Sequence, residues 1–205
     1  MKSKKAVAEH YYVRQPESKP RLGLIRTHLR GCFFEFLTSS SVFSKRRVDL
    51  GTRLLIESMV LPDRGNVLDL GCGYGPVGVV AAVSNPDLHV VMVDVNERAV
   101  KLTRENAKRN RADNVEVHYG FLYEPVEGMQ FAAIFCNPPV SVGMKTVTSI
   151  VNNAPRHLRE NGSFQIVVRT KIGGKRLSDE LEQVFGNIKV LSRGSGYRVL
   201  LSEKS

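Results

Sequence analysis

From Asn66 onward the chain alternates short apolar runs with segments of helical periodicity, and few folds accept that alternation. NVLDLG, LHVVMVDV, VEVHYG, FAAIFCN and SFQIVVRT read as strands, and LHVVMVDV has the unbroken apolarity of a parallel strand covered on both faces. PVGVVAAVS reads as a helix of small residues. NERAVKLTRENAKRN reads as a surface helix, with Asn96 as N-cap and Glu97–Lys101 and Glu105–Arg109 as i,i+4 pairs. Val147, Ile150, Val151, Ala154 and Leu158 fall on one helical face, with Pro155 as a kink, and RLSDELEQVF supplies a further helix. IKVLSR and YRVLLS, joined by GSG, close the chain as a hairpin. Five strands separated by helices predict an open, mostly parallel α/β sheet with right-handed crossovers, to which the hairpin adds an antiparallel strand. The texture upstream differs: RLGLIRTHLR and CFFEFLTS flank Gly31 as a second hairpin, and GTRLLIESMV leads into the sheet as a helix. The expected division is a basic extension carrying a hairpin, residues 1–50, and a main domain, residues 51–205.

Composition excludes several classes. With 42% hydrophobic and 24% charged residues, the chain has the balance of a folded globular protein, and no stretch reaches the ~18 consecutive apolar residues of a membrane span. The N-terminal stretch lacks the apolar core of a secretory signal. Cys32, Cys72 and Cys136 form no CxxC pair and the five histidines are scattered, which argues against a zinc site or a disulfide framework and for a reducing cytoplasm. Cys136 reads as a small core residue. The net charge of +10 is concentrated early: the first thirty residues hold eight Lys or Arg against two Glu, and Lys45, Arg46 and Arg47 follow. Interleaved with Tyr11 and Tyr12, this excess suits either solubility or a surface that tracks phosphates and stacks on bases.

Three motifs fall at the carboxyl ends of the predicted parallel strands, where open α/β sheets hold their ligands. Gly71, Gly73 and Gly75 in LDLGCGYGPVG permit a tight turn and close approach of backbone to ligand. They do not form the dinucleotide fingerprint, because Pro76 stands where its third glycine belongs. Asp94 ends the second strand 21 residues past Gly73, the place of a carboxylate that accepts ribose hydroxyls; it also suits a helix N-terminus. The fourth strand ends in Asn137, Pro138 and Pro139.

Together, LDLGCGYG, Asp94 and NPP resemble the class I S-adenosylmethionine-dependent methyltransferases, and NPP resembles the branch that methylates exocyclic or amide nitrogens. VFSKRRVDLGTRLLIE, HLRENGSFQIVVRTKIGG and GSGYRVLLS extend the resemblance to the methyltransferase small domain family. That family includes RsmC-like enzymes that methylate guanine N2 in small-subunit ribosomal RNA, and their single-domain archaeal relatives. The resemblance implies a Rossmann-like methyltransferase sheet with S-adenosyl-L-methionine held by Thr52, Asp69, Gly71, Cys72, Gly73, Gly75, Asp94, Val95, Phe121, Leu122 and Asn137. It also implies RNA, ribosomal or transfer, as partner; a monomer or weak homo-oligomer is expected because no long apolar surface demands a partner, and no metal is expected. Asp49 and Thr52 either line the methionine end of that site or cap a helix. Two positions depart from the pattern. Val140 stands where relatives often carry a base-stacking aromatic, and Phe121 where they often carry an adenine-binding Asp. Phe43 is the candidate stacking residue, with Val140, Arg46 and Arg47 also on the substrate side.

The chemistry of NPP agrees. An aromatic amine is a poor nucleophile, and two acceptors on its hydrogens hold the nitrogen toward an electrophilic carbon. Asn137 supplies one acceptor and the Pro138 carbonyl the other, its direction fixed by Pro138 and Pro139. The expected activity is N2 methylation of guanine in RNA. Glutamine N5 methylation in a protein and a non-catalytic RNA-binding assembly factor are the alternatives, whereas a nicotinamide oxidoreductase would leave NPP without a job.

Overall fold

A computed structural model describes residues 22–39, 47–138, 143–171 and 173–205. Among these residues two sheets form. A separate hairpin pairs β1 (Leu22–Leu29) with β2 (Cys32–Ser39), and a seven-stranded sheet holds β3 (Gly65–Leu70), β4 (Leu88–Asp94), β5 (Val115–Tyr119), β6 (Phe131–Cys136), β7 (Leu158–Arg169), β8 (Lys189–Gly194) and β9 (Tyr197–Glu203). The order across the large sheet is β5-β4-β3-β6-β7-β9-β8, with β5 through β7 parallel and β9 antiparallel to both of its neighbours. The order reverses between β3 and β6, which makes the ends of these two strands the place for a ligand in an open sheet.

The helices are α1 (Leu50–Ser58), α2 (Pro76–Ser84), α3 (Glu97–Arg109), α4 (Gly143–His157) and α5 (Gly174–Phe185). Two apolar layers cover the sheet. One joins α1, α2 and α3 to residues such as Val67, Val90 and Phe135, and the other joins α4 and α5 to Leu68, Val91 and Ile134. Successive strand residues face opposite layers, so a doubly covered strand must be apolar at every position; β6 is buried throughout. The crossover from β5 to β6 departs from the expected alternation: it carries one short 3-10 turn, Glu124–Val126, instead of a helix. Leu158, expected on the face of α4, opens β7, and Pro155 lies in the last turn of α4, where the helix is about to end.

Both hairpins turn through two consecutive left-handed residues, Arg30 and Gly31 in one and Ser195 and Gly196 in the other. This is the geometry whose twist matches that of paired strands. The first hairpin is not a loose appendage, since Ile25, Leu29, Phe34 and Phe36 belong to the same buried layer as α1–α3. Its edge is closed by a side chain of α3, Asn106, and by that of its C-cap, Asn110. Asn110 Oδ1 accepts the Glu35 N–H at 3.0 Å while its Nδ2 donates to the Glu35 carbonyl at 2.8 Å. Asn106 does the same for Leu37, at 2.7 and 3.0 Å. Each carboxamide thus takes the place of a neighbouring strand's peptide group. Arg109, on the same helix, pairs with Glu35 at 3.5 Å.

Candidate active site

The glycine loop follows β3 and is clamped from β4 and α3. Gly71, Gly73 and Gly75 all adopt positive φ, between 62° and 89°, where a Cβ would be strained. The Gly71 and Cys72 N–H groups donate to the Val93 carbonyl, and the Thr103 hydroxyl donates to the Gly73 carbonyl at 2.8 Å. Gly75 caps α2, and a Cβ there would stand 2.8 Å from Thr103 Cγ2. Asp94 is buried, and its carboxylate accepts the Gly73 N–H and the Asn96 N–H, both at 2.8 Å. It therefore braces the loop, and a ribose would share its oxygens, each of which accepts more than one hydrogen bond. Asn96 caps α3 as expected, accepting from Arg98 and Ala99.

Asp69, two residues before the loop, accepts the Gly78 N–H at 2.8 Å and is 2% exposed. Burial, followed by the nearby Asp94 charge, outweighs that hydrogen bond and pushes its carboxyl up to about 7. A ligand bearing an ammonium and a sulfonium would supply the cation that this carboxylate lacks, so the donor set fits S-adenosyl-L-methionine. Burial also pushes the Cys72 and Cys136 thiols up, which leaves both as protonated, packed sulfurs rather than nucleophiles.

A cavity of about 230 Å³ opens from Asp69 and the glycine loop past the end of β6. Thr52, Asp69, Gly71, Cys72, Gly73, Asn137 and Pro138 line it, so seven of the expected site residues come together. Asp49 also lines it and caps α1 through Gly51 and Thr52, so the capping role weighed for it is present. The amide of Asn137 is fixed: Nδ2 donates to Thr52 Oγ1 at 2.7 Å, which leaves Oδ1 as the acceptor end. Gly75, Asp94 and Val95 are not part of the cavity wall, and Asp94 reaches the loop through the Gly73 N–H. Phe121 and Leu122 line a second depression, with Tyr123 and His157. Arg47 is exposed just before α1, while Phe43, Arg46, Pro139, Val140 and the basic stretch before Leu22 lie outside the described residues.

Sequence reading missed the far wall of the cavity, formed by Met144, Val168, Arg169, Leu177 and Tyr197. One signal was available. β9 runs antiparallel, so its first residue, Tyr197, shares a rim with the last residues of the parallel strands.

Comparison with known proteins identifies relatives of the chain. The description "Methyltransferase small domain" matches residues 34–201. The uncharacterized protein YbxB of Bacillus subtilis (strain 168) is 39% identical over 200 residues, 97% of this chain and 100% of its own. Ribosomal RNA small subunit methyltransferase C of Aeromonas hydrophila is 34% identical over 171 residues, 82% of this chain and 48% of its own, so the chain spans about half of that relative. Among solved structures, the T. thermophilus 16S rRNA N2 G1207 methyltransferase (RsmC) in complex with AdoMet and guanosine superposes with a TM-score of 0.81 at 28% identity. That match covers 93% of this chain and 52% of the other. A precorrin-6y C5,15-methyltransferase from Geobacter metallireducens, at 18% identity and a TM-score of 0.64, shares the fold. With its family description spanning β2 to β9 and its glycine loop, Asp69 and Asn137 gathered around one cavity, the chain belongs to the methyltransferase small domain family.

Proposed function

We propose that the protein transfers a methyl group from S-adenosyl-L-methionine to the exocyclic N2 of a guanine in RNA. One observation carries the reading: Asn137, its amide locked on Thr52, stands between the glycine loop and the far wall of a single cavity. The cofactor supplies an electrophilic methyl carbon on a sulfonium that becomes a neutral thioether on transfer. Asn137 Oδ1 and the Pro138 carbonyl accept the two hydrogens of the amine and aim its lone pair at that carbon. One N–H proton leaves to solvent as the N–C bond forms. Because the sulfur leaves uncharged, the chain needs no strong base, only alignment and preorganised acceptors. The backbone of the glycine loop and Asp69 would hold the charged end of the cofactor. The relative solved with AdoMet and guanosine supports both the cofactor and the acceptor, and the +10 charge suits an RNA partner.

The test is methyl transfer to small-subunit ribosomal RNA from a strain lacking the gene, with nucleosides identified by mass spectrometry. Wild type should produce N2-methylguanosine. Asn137→Ala should bind the cofactor normally while turnover drops about 100-fold, as expected for loss of one preorganised contact. Unchanged turnover, or methylation of a glutamine-bearing peptide instead, would overturn the reading.

A further inference from the structure

The order of the strands gives the cavity two ends. Asp69 and the glycine loop come from β3, Asn137 from the end of β6, and the next strands outward are β7 and β9. β7 ends at Arg169, β9 begins at Tyr197, and the two are direct cross-strand partners. Asn137 therefore separates the loop from an Arg–Tyr pair on the opposite side. Adjacent strands lie about 4.8 Å apart, so Tyr197, two strands beyond β6, is about 10 Å away across the sheet, which leaves room for one base.

The pair is built rather than loose. Arg169 Nε donates to the Tyr197 hydroxyl at 2.9 Å, and its guanidinium carbon lies 5.3 Å from the ring centroid. The start of α1 packs directly on the ring: a Cβ on Gly51 would stand 2.8 Å from Tyr197 Cε1. Among the described residues Arg169 partners a hydroxyl rather than a carboxylate.

We infer that Tyr197 and Arg169 form the platform that receives the target base, with the ring stacking on it and the guanidinium reading guanine O6 and N7. This rests on the proposed N2 methylation. Guanine carries N2 on one edge and its O6 and N7 acceptors on the other. A base with N2 at Asn137 thus turns O6 and N7 away from the reacting atoms, toward the far wall. With Nε committed to Tyr197, the two Nη groups form the planar donor edge that matches this pair of acceptors. Adenine offers an amino donor in place of O6, so donor would face donor. The tyrosine also supplies the stacking surface that Val140 does not.

The test uses labelled oligouridines with one central guanosine, inosine, 2-aminopurine riboside or adenosine, titrated at fixed salt with S-adenosylhomocysteine present. Wild type should bind the guanosine oligomer at least about tenfold more tightly than the adenosine one, within the range of a bidentate contact. Inosine, which keeps O6 and N7 but lacks the amine held at Asn137, should bind less tightly than guanosine yet more tightly than adenosine, and 2-aminopurine, which keeps the amine but lacks O6, should also bind less tightly than guanosine. Arg169→Met should bring inosine and adenosine within about twofold of each other, and guanosine and 2-aminopurine likewise, and Arg169→Lys should restore part of the preference. Tyr197→Leu should weaken every purine about tenfold, in the range for base–aromatic stacking. Tyr197→Phe should keep stacking and lose the preference for inosine over adenosine. A preference for inosine over adenosine that survives Arg169→Met, or full purine binding by folded Tyr197→Leu, would overturn the platform alone. Absence of any base preference in wild type would overturn it together with the guanine assignment.

Discussion

Asp69 makes the cavity sensitive to pH, and the direction follows from its surroundings. In the unfolded chain its carboxyl titrates near the ordinary value of 3.8; in the fold, burial pushes it to about 7. Between these values the native state holds a proton that the unfolded chain has released, so stability falls as pH rises through that window and stays lowered above it. The displacement, about three pH units at about 1.4 kcal/mol each, corresponds to about 4 kcal/mol, an upper figure because water in the open cavity solvates the charge. Asp69→Asn keeps an acceptor for the Gly78 N–H and removes the charge. The ligand-free variant should therefore resist urea better than wild type at pH 8, with the advantage vanishing near pH 4. A cationic ligand acts in the opposite sense, since it favours the ionised carboxylate. Binding of S-adenosylmethionine at pH 6 should expel up to about 0.9 proton from Asp69, against almost none at pH 8.5. Calorimetry in two buffers of different ionisation enthalpy measures this. The difference between wild type and Asp69→Asn isolates the residue, because the ligand's own amino group titrates in both. Equal proton release by the two proteins at pH 6 would refute the argument.

Other perturbations separate the parts of the site. Thr52→Val removes the acceptor that fixes the Asn137 amide; turnover should fall about tenfold, the scale of one hydrogen bond, and Thr52→Ser should restore it. Gly75→Ala forces a Cβ onto a left-handed residue 2.8 Å from Thr103, and thermal unfolding should show a loss of about 1–3 kcal/mol with weakened cofactor binding. RNA affinity should fall steeply with salt, each phosphate contacted adding about 0.7–0.9 to the log–log slope; a flat response would argue for a neutral acceptor.

What could be read from the residues alone followed the physics of burial. A strand covered on both faces has to be apolar at every position, so β4 and β6 were visible as runs, and the glycines between β3 and α2 marked a turn that side chains would obstruct. The place of Asn137 on the cavity wall was legible because two prolines after a core strand are unusual enough to need a reason. The anchoring of Asn137 by Thr52 was not legible, since the two residues lie 85 positions apart and meet only once α1 docks on the sheet. Arg169 and Tyr197 escaped for a similar reason: their pairing depends on β9 inserting antiparallel beside β7, between it and β8. The 3-10 crossover from β5 to β6 had no periodic signature because so short a turn has no repeat.

The carboxamide closure of the first hairpin also bears on how the chain is made. Glu35 and Leu37 find their partners 75 and 69 residues later, in α3 and its C-cap. At a synthesis rate of about 5–20 residues per second, the edge of β2 waits roughly 4–15 s before those side chains exist. During that interval its peptide groups are open to any other extended strand, including a second nascent copy. Folding of this protein should therefore be most vulnerable to misassembly between the emergence of the hairpin and the completion of α3, the period in which a chaperone would have the most to protect.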